Sequence, residues 1–315
     1  MGFISAFHDT GSITGGARLM VTVANHPGTA GHSGAAVLEE EATGDIKGIF
    51  EDLKKTFRVP FVSSVFRELA ARPDYLSVAW RQLHTNAQTA YFERSADDLR
   101  EFAVEAVSSV ADPPSGCPDD AQIAIKIFHY VNPKLLIGIA ALRAATTGER
   151  PKLEDLPADD KRQIASGVPD GVSLSLVDAD TDDERVQRTF EAIRSRSGTP
   201  VLNDDALALA AWPEFLETSW NALQGLVDGS DFTRLQRELR LRCEEIVVAF
   251  PFRMDLSAHT LRNSGLSEAD IDAVHSVLKR AFGSLQQLVA GSALIAVEAL
   301  GKDEALKSPF PARPL

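Results

Sequence analysis

The segment TPVLNDDALALAAWPEF, residues 199–215, decides the predicted fold because its frame occurs twice in the chain. A shift of 140 positions aligns residues 189–223, which contain this segment, with residues 49–83 without a gap. A match of this length indicates a duplicated unit. Asp205 breaks the symmetry, since it lies opposite Val65. The identical pairs are Phe50/Phe190, Glu51/Glu191, Pro60/Pro200, Leu69/Leu209, Ala70/Ala210, Ala71/Ala211, Pro73/Pro213, Leu76/Leu216, Trp80/Trp220 and Leu83/Leu223.

The predicted fold is all-α, with two tandem helical repeats that form a pseudo-dimer. Apolar residues recur at helical spacing through most of the chain, and the alternation typical of strands is almost absent. The expected organisation is a flexible N-terminal arm at 1–40, a first helical repeat at 41–147, a linker at 148–175 and a second helical repeat at 176–315.

Helix bounds follow from apolar spacing and from prolines, which favour the first turn of a helix and disfavour its interior. The first repeat is predicted to contain helices at about 45–57, 64–71, 73–83 and 96–110, a loop at 112–116, and a helical pair, 119–130 and 133–146, hinged at Asn132-Pro133. The second is predicted to contain helices at about 182–195, 204–211, 213–226, 232–249, 267–282 and 284–299.

Composition limits the possible partners. The 315 residues are 44% apolar, enough for a core in each half. A net charge of −13 without a basic stripe argues against nucleic acid. The only cysteines, Cys117 and Cys243, have no metal or redox spacing, which favours reduced thiols and a cytoplasmic location. No signal peptide is recognisable. The apolar runs 135–142 and 285–300 are interpreted as core helices and not as membrane spans.

Asp205 is the main candidate for chemistry. An acidic residue at a helix start is ordinarily a cap or a partner of the helix dipole. Here Ser64 in one repeat and Asp204 in the other are expected to fill the cap-like position, so Asp205 is a surplus carboxylate. The adjacent Asp204 should raise the pKa of Asp205, because two neighbouring negative charges repel each other.

Asn132 is the second candidate. Its ordinary role before Pro133 would be a helix N-cap followed by proline at the first helical position. A weaker match, in which Phe128 aligns with Phe282 at an offset of 154, places Gln286 opposite Asn132. Asp205 and Asn132 therefore each occur in one half only. This pattern predicts one asymmetric site between two similar halves.

Other kinds of site lack their motifs. The seven histidines form no metal-binding cluster, so neither a metal nor another cofactor is expected. GxSxG, Walker A and GxGxxG sequences are absent, which disfavours triad hydrolases and nucleotide enzymes. A peroxidase-like role would need a CxxC pair, which the chain lacks. The three tryptophans, Trp80, Trp212 and Trp220, are assigned to helix cores.

The chain resembles the group I 2-haloacid dehalogenases, which act on both D- and L-2-haloalkanoic acids. The similarity runs from about residue 40 to the C-terminus and is carried by Arg58-Val59-Pro60, Pro73 to Arg81, Phe128 to Lys134, Leu176 to Ala179, Asp205 to Pro213, and Lys307 to Pro311. The resemblance implies an all-α pseudo-dimer with one active site between its halves. It further implies that Asp205 is the general base and that Asn132 assists it. The activated water would attack the α-carbon directly, displacing halide with inversion and without an ester intermediate.

The resemblance also implies a substrate pocket lined by Tyr130, Phe61, Ser64 and Asp204. Four residues depart from the family pattern. Phe61 stands where a Trp is expected, Ser64 where a Phe is usual, Asp204 where a Ser is usual, and Ala281 where a Tyr is usual. Together these residues predict a wider, more polar and more negative pocket.

The leading hypothesis is a cofactor-independent hydrolase that converts 2-haloacids to 2-hydroxy acids. Its expected partners are the haloacid and the halide, with no nucleic acid and no membrane, and the protein is expected to be a monomer or homodimer. The four departures also leave open a catalytically altered or inactive homologue that binds another small molecule on the same scaffold.

Overall fold

The computed structural model describes residues 36–111, 116–148 and 158–315. Residues 1–35 of the predicted N-terminal arm lie outside the described residues. The same holds for 112–115 in the predicted loop and for 149–157 in the predicted linker.

Over the described ranges the protein is mostly helical, with two isolated β-bridges and no strand, in agreement with the all-α prediction. The α-helices are α1 (Gly44–Phe57), α2 (Ser64–Leu69), α3 (Pro73–Ala87), α4 (Ala90–Val107), α5 (Gln122–Thr147), α6 (Glu184–Ser197), α7 (Asp204–Leu209), α8 (Pro213–Asp228), α9 (Ser230–Val248), α10 (Ala258–Asn263), α11 (Glu268–Leu300) and α12 (Lys302–Ala305). Two short 3-10 helices cover Asp119–Ala121 and Ala158–Lys161.

Four pairs of helices start at positions related by the same shift of 140 residues that aligns the two repeats. The helices α6, α7, α8 and α9 begin 140 residues after α1, α2, α3 and α4, respectively. Pro73 and Pro213 occupy the first turns of α3 and α8, where a missing N–H is harmless. This order agrees with a duplication, although the pseudo-dimer stays a prediction.

The helices α1 and α6 end at equivalent positions with different residues. Gly198 follows α6 with φ of 65°, and Arg58 follows α1 with φ of 63°. This left-handed conformation suits glycine and is unfavourable for arginine. The buried side chain of Arg58 offsets the strain, because its Nη1 donates to the Tyr130 hydroxyl at 2.9 Å and to the Phe310 carbonyl at 2.8 Å. These bonds hold the C-terminal segment against the helices.

The centre of the fold is the packing of α5 against α11. The predicted hinge at Asn132-Pro133 is wrong, since α5 continues through both residues. Pro133 deprives the carbonyl of His129 of its helical donor and costs roughly 3 kcal/mol. Burial outweighs this cost, because 20 of the 26 residues of α5 are buried and each buried methylene contributes about 0.8 kcal/mol.

The two helices predicted at 267–282 and 284–299 are likewise one helix, α11. Gly283 lies inside it at a cost of about 1 kcal/mol relative to alanine, which the apolar contacts on both sides of the glycine offset. By length and apolar composition alone, α11 and the segment Asp119–Thr147, which includes α5, could cross a bilayer. Buried residues make up 56% and 89%, respectively, of their most apolar windows, so packing within the protein accounts for much of their apolar character.

The helix α4 begins at Ala90, six residues before the predicted start at 96. Its N-cap is Thr89, whose hydroxyl accepts from the backbone N–H of Phe92 at 3.2 Å. This bond satisfies one of the free N–H groups of the first turn, so the helix can start before its apolar spacing becomes evident.

The described end of the predicted linker is bonded to the helical body. The backbone N–H of Gly167 donates to the carbonyl of Lys55 at 2.8 Å, and that of Ala165 donates to Arg313 at 2.8 Å. This segment therefore runs along the C-terminal residues and α1. All the described residues belong to one compact unit.

Candidate active site

Asp205 lies in the first turn of α7, and a neighbouring residue caps that helix. The N-cap is Asn203, whose Oδ1 accepts from the backbone N–H of Ala206 at 2.8 Å. The expectation that Ser64 and Asp204 fill the cap positions is wrong, because the N-caps of α2 and α7 are Ser63 and Asn203. The carboxylate of Asp205 is therefore free for another role.

The carboxylate of Asp205 contacts the amide of Asn132. Asn132 Nδ2 donates to Asp205 Oδ2 at 2.8 Å and lies 3.4 Å from the carbonyl oxygen of Leu288. The two side chains come from α7 and α5, one from each predicted repeat, and only 1% of Asn132 is exposed. The structure thus brings together the two residues predicted to perform the chemistry.

The surroundings of Asp205 favour its protonated form. The pKa of its carboxyl is raised from 3.8 to about 7, mainly by burial; the hydrogen bond from Asn132 opposes this rise, and the negative charge of Asp204 adds to it. A carboxylate with a pKa near neutrality can accept a proton from water and release it again at physiological pH.

Asp204 does not line the pocket beside Asp205. Its Oδ2 accepts from the backbone N–H of Ser64 at 2.8 Å, and its Oδ1 lies 2.6 Å from Nη2 of Arg67. Burial raises the pKa of the Asp204 carboxyl although Arg67 opposes the shift. The negative charge of Asp204, which was predicted to make the pocket more negative, is therefore paired with the positive charge of Arg67. Ser64 contributes its backbone N–H to this ion pair and likewise does not line the pocket.

Tyr130 belongs to a different buried cluster from Asn132. Its hydroxyl accepts from Arg58 and donates to Glu93 Oε1 at 2.7 Å, and the ammonium of Lys134 lies 3.8 Å from its ring centroid. Residues 130 and 132 are about 200° apart around one continuous helix, so their side chains point in nearly opposite directions. Tyr130 cannot line a pocket next to Asn132 in this arrangement.

Phe61 and Ala281 also lie outside the pocket wall. Phe61 is 6% exposed and packs against Phe128 with their ring centroids 5.4 Å apart. Ala281 is a partly buried residue of α11 that packs on the core. Neither side chain faces the pocket that contains Asp205.

The pocket beside Asp205 lies entirely within the second predicted repeat, among α6, α7, α8 and α11. It holds about 50 Å³ of space for water-sized molecules, and its empty volume is about 450 Å³ when the open solvent at its mouth is included. Most of its wall is aliphatic, and Trp220 adds an aromatic surface. The lining residues are Ile193, Asn203, Asp205, Ala206, Leu209, Leu216, Ser219, Trp220, Leu223, Gln287, Leu288, Gly291, Ser292 and Ile295. Such a wall offers few polar groups, so the carboxylate of Asp205 is the strongest hydrogen-bond acceptor in the pocket.

Most of this wall was not identified from the sequence. Trp220 was assigned to the core, and Ser219, Gln287 and Ser292 were not singled out. The shifted frame contained a signal, because Phe66 aligns with Ala206 and Ala79 with Ser219. Where the first half has an aromatic residue and the second has alanine, the ring fills a space in the first half that can stay open in the second.

A polar surface groove adjoins this pocket and shares Gln287 with it. Two cations line the groove, Lys279 and Arg280, and Arg280 is paired with Glu68. Lys279 has no ion pair with any described residue. In a protein with net charge −13, this groove is a local cationic approach to Asp205.

Residues 36–111, 116–148 and 158–315 hold no group of three or more His, Cys, Asp or Glu side chains that could bind a metal ion. The site among these residues consists of a partly buried acid, a buried amide and an apolar pocket.

Residues 60–206, just under half of the chain, match the family described as "Halocarboxylic acid dehydrogenase DehI". The chain is 26% identical over 272 residues to an (R)-2-haloacid dehalogenase of Pseudomonas putida, covering 77% of this chain and 85% of that protein. It is 28% identical over 287 residues to a configuration-inverting 2-haloacid dehalogenase of Alcaligenes xylosoxydans xylosoxydans, covering 86% and 95%. A solved D-2-haloacid dehalogenase in complex with L-LA has a TM-score of 0.78 and 25% identity, covering 84% of this chain and 96% of the other.

The chain is thus similar to the DehI family over residues 60–206 and to 2-haloacid dehalogenases over most of its length. The curated relatives and the solved neighbour are 2-haloacid dehalogenases, which are hydrolases acting on carbon–halide bonds. The narrower designation as a D,L-acting group I enzyme stays a prediction.

Proposed function

We propose that this chain, a relative of the DehI family, is a cofactor-independent 2-haloacid dehalogenase that converts 2-haloalkanoic acids to 2-hydroxy acids with inversion. The observation that carries the proposal is the 2.8 Å hydrogen bond from Asn132 to Asp205, the one member of this pair that lines the apolar pocket. The acid with a pKa near 7 serves as the base, and the amide holds its reacting oxygen in place.

In the proposed reaction, Asp205 accepts a proton from a water molecule as the water oxygen attacks the α-carbon. The new carbon–oxygen bond forms on the face opposite the halogen while the carbon–halogen bond breaks. The halide leaves with the bonding electron pair, so the α-carbon is inverted. Asp205 then releases its proton to solvent. The products are the 2-hydroxy acid, halide and one proton, and no oxygen of Asp205 enters the product.

The small number of polar groups in the site suits this chemistry. Halide is a stable anion and needs no general acid to leave, whereas the water must be aligned with the breaking bond and partly deprotonated. An apolar wall raises the basicity of the carboxylate and removes competing water from the α-carbon.

The proposal includes the pseudo-dimer. Two observations support it: the common offset of 140 residues between four pairs of helix starts, and the bond from the Ser64 N–H to Asp204, two residues separated by that same offset. A contact between equivalent residues is expected close to a twofold axis. On this view, Asp205 and Asn132 form one site where the two halves meet.

The direct test is halide release from each enantiomer of 2-chloropropanoate. The relatives named as (R)-2-haloacid dehalogenases lead us to expect turnover of the R enantiomer, and the D,L designation predicts turnover of both. The Asp205→Asn variant should lower kcat by roughly 10²- to 10⁴-fold, the usual contribution of a general base. Asp74→Asn, which changes an exposed first-turn acid of α3, is the matched control and should retain turnover.

A single turnover in ¹⁸O-labelled water separates direct attack from an ester mechanism. Direct attack places the label in the 2-hydroxy acid during the first turnover. Unlabelled product with labelled Asp205 would show a covalent ester and contradict the proposed mechanism.

The alternative, a binding protein on the same scaffold, has less support from the geometry. The departures that motivated it, Phe61, Ser64, Asp204 and Ala281, lie outside the pocket wall, and the Asp205–Asn132 contact is intact. Absence of halide release from both enantiomers and from longer 2-haloacids, by a folded protein, would favour this alternative.

A further inference from the structure

The pocket beside Asp205 corresponds to a filled space in the first half of the chain. There, Phe66 is 1% exposed and its ring meets Trp80 edge-on, with the centroids 6.1 Å apart. In the frame shifted by 140 residues, Trp80 aligns with Trp220 and Phe66 with Ala206. Both Trp220 and Ala206 line the pocket. The pocket thus lies where the second half lacks a phenylalanine ring.

A second aromatic ring is absent as well. Phe57, which is buried and lies 5.7 Å from Phe66 and 5.8 Å from Trp80 between ring centroids, aligns with Ser197. Ser197 is exposed at the end of α6 and does not line the pocket. The rings that pack around one tryptophan in the first half have no counterpart around the other.

The indole N–H groups of Trp80 and Trp220 also differ, because only that of Trp80 has a hydrogen-bond partner among the described residues. Trp80 Nε1 donates to Asp52 Oδ2 at 2.8 Å. Asp52 aligns with Ala192, and the buried Nε1 of Trp220 has no hydrogen-bond partner among the described residues. An aromatic ring with its π face toward this N–H would give the donor a weak acceptor.

Gly291 keeps the opposite wall of the pocket open. A Cβ at this position would lie 3.1 Å from Cδ1 of Leu223, closer than an ordinary contact. Any larger residue would push Leu223 and reduce the space beside Trp220. The width of the pocket therefore depends on small residues on two helices, Ala206 on α7 and Gly291 on α11.

We propose that this pocket receives the side chain of the substrate and that the preferred substrates are 2-haloacids with a phenyl-sized apolar side chain. The substrate ring would occupy the place that Phe66 fills in the first half, with the α-carbon toward Asp205. This inference rests on the proposed function, because it requires that Asp205 activate water at the α-carbon. It adds the substrate class and identifies Ala206 and Trp220 as specificity-determining residues.

The first experiment compares kcat/KM for 2-chloro-3-phenylpropanoate and 2-chloropropanoate. Burial of a phenyl ring in the wild type should favour the phenyl substrate by roughly 10- to 100-fold. Ala206→Phe places in the pocket the ring that Phe66 supplies in the first half. The ratio of kcat/KM for the phenyl substrate to that for 2-chloropropanoate should then fall to about one or below. Leu207→Phe is the matched control, since it adds the same ring one residue away at a position outside the pocket wall, and it should keep the wild-type preference.

The second experiment does not depend on turnover or on the folding of a variant of Ala206. The indole N–H resonance of Trp220, assigned by its loss in Trp220→Phe, is followed while the wild type is titrated with unreactive 3-phenylpropanoate or propanoate. The proposal predicts a saturable shift with 3-phenylpropanoate at concentrations at which propanoate has no effect.

The outcomes separate the two proposals. Turnover of both chloroacids without preference, and without a response of the Trp220 resonance, overturns the assignment of the pocket and leaves the dehalogenase function in place. A Trp220 response without turnover of either chloroacid supports the assignment of the pocket as a ring-binding site and overturns the dehalogenase function.

Discussion

The amide of Asn132 should control the pH at which the protein becomes active. Asn132→Leu keeps a side chain of similar size and removes the donor that lies 2.8 Å from Asp205 Oδ2. In the wild type, the base is ionised above its pKa of about 7, so kcat/KM should rise with pH to a plateau with its midpoint near that value. Activity is lost as the pH falls, because the protonated acid cannot accept a proton from water.

The hydrogen bond from Asn132 stabilises the ionised form of Asp205 and so lowers its pKa. A hydrogen bond to a charged group contributes about 1.5–3 kcal/mol, and one pKa unit corresponds to about 1.4 kcal/mol. Its removal should therefore move the midpoint up by roughly one to two pH units. At pH 7, where half of the wild type is already protonated, the variant should lose roughly 5- to 50-fold of its kcat/KM through protonation alone, and higher pH should restore this part of the loss.

The assay is the initial rate of halide release from pH 5 to pH 10 at constant ionic strength, over which the substrate stays an anion. Asn221→Leu, at an exposed position of α8, is the matched control and should leave the midpoint unchanged. A lower plateau with an unmoved midpoint would refute the reasoning, since Asn132 would then act on the water and not on the carboxylate. A wild-type midpoint near pH 4 would show that burial does not raise the pKa of the base.

Two further predictions concern the charges around the site. Arg67→Met leaves the buried carboxylate of Asp204 without its cation and should lower the free energy of unfolding by about 3–5 kcal/mol at pH 7, as measured by urea denaturation. Arg280→Met removes an exposed ion pair, should cost at most about 1 kcal/mol, and is the comparison that shows whether burial matters. Lys279→Gln should lower kcat/KM for the haloacid anion by roughly twofold to fivefold at low ionic strength, and this difference should vanish in about 1 M salt. A difference that persists in high salt would assign Lys279 to direct substrate contact and not to long-range attraction.

Helix starts were predictable where the sequence contains a local signal. The starts of α2, α3, α7 and α8 agree with the prediction, because prolines mark α3 and α8 and the shifted frame relates each pair. The continuous course of α5 was not predictable from Pro133 alone. The local preference of proline opposes it, and only the packing of α5 against α11 decides the outcome.

The hinge predicted in α5 also underlies the prediction that Tyr130 lines the pocket beside Asn132, and the role of Tyr130 in substrate binding stays a prediction. With a hinge between residues 130 and 133, both Tyr130 and Asn132 could face one pocket. On a continuous helix the two side chains point about 200° apart. The hydroxyl of Tyr130 therefore forms hydrogen bonds with Arg58 and Glu93 and does not lie beside Asn132. The pairing of Asp205 with Asn132 followed from sequence because each is a polar residue without a counterpart in the other half.

The bond between Ser64 and Asp204 bears on the history of the chain. On the proposed duplication, these residues descend from one position of an ancestral subunit that faced its own copy. Two aspartates there would have repelled each other, and two serines would have offered Arg67 no carboxylate. The present pair could arise only after the two copies had become separate sequences that mutated independently. Duplication would thus have preceded the acquisition of Asp204, and replacing Asp204 with serine and Arg67 with a neutral residue approximates the symmetrical ancestor.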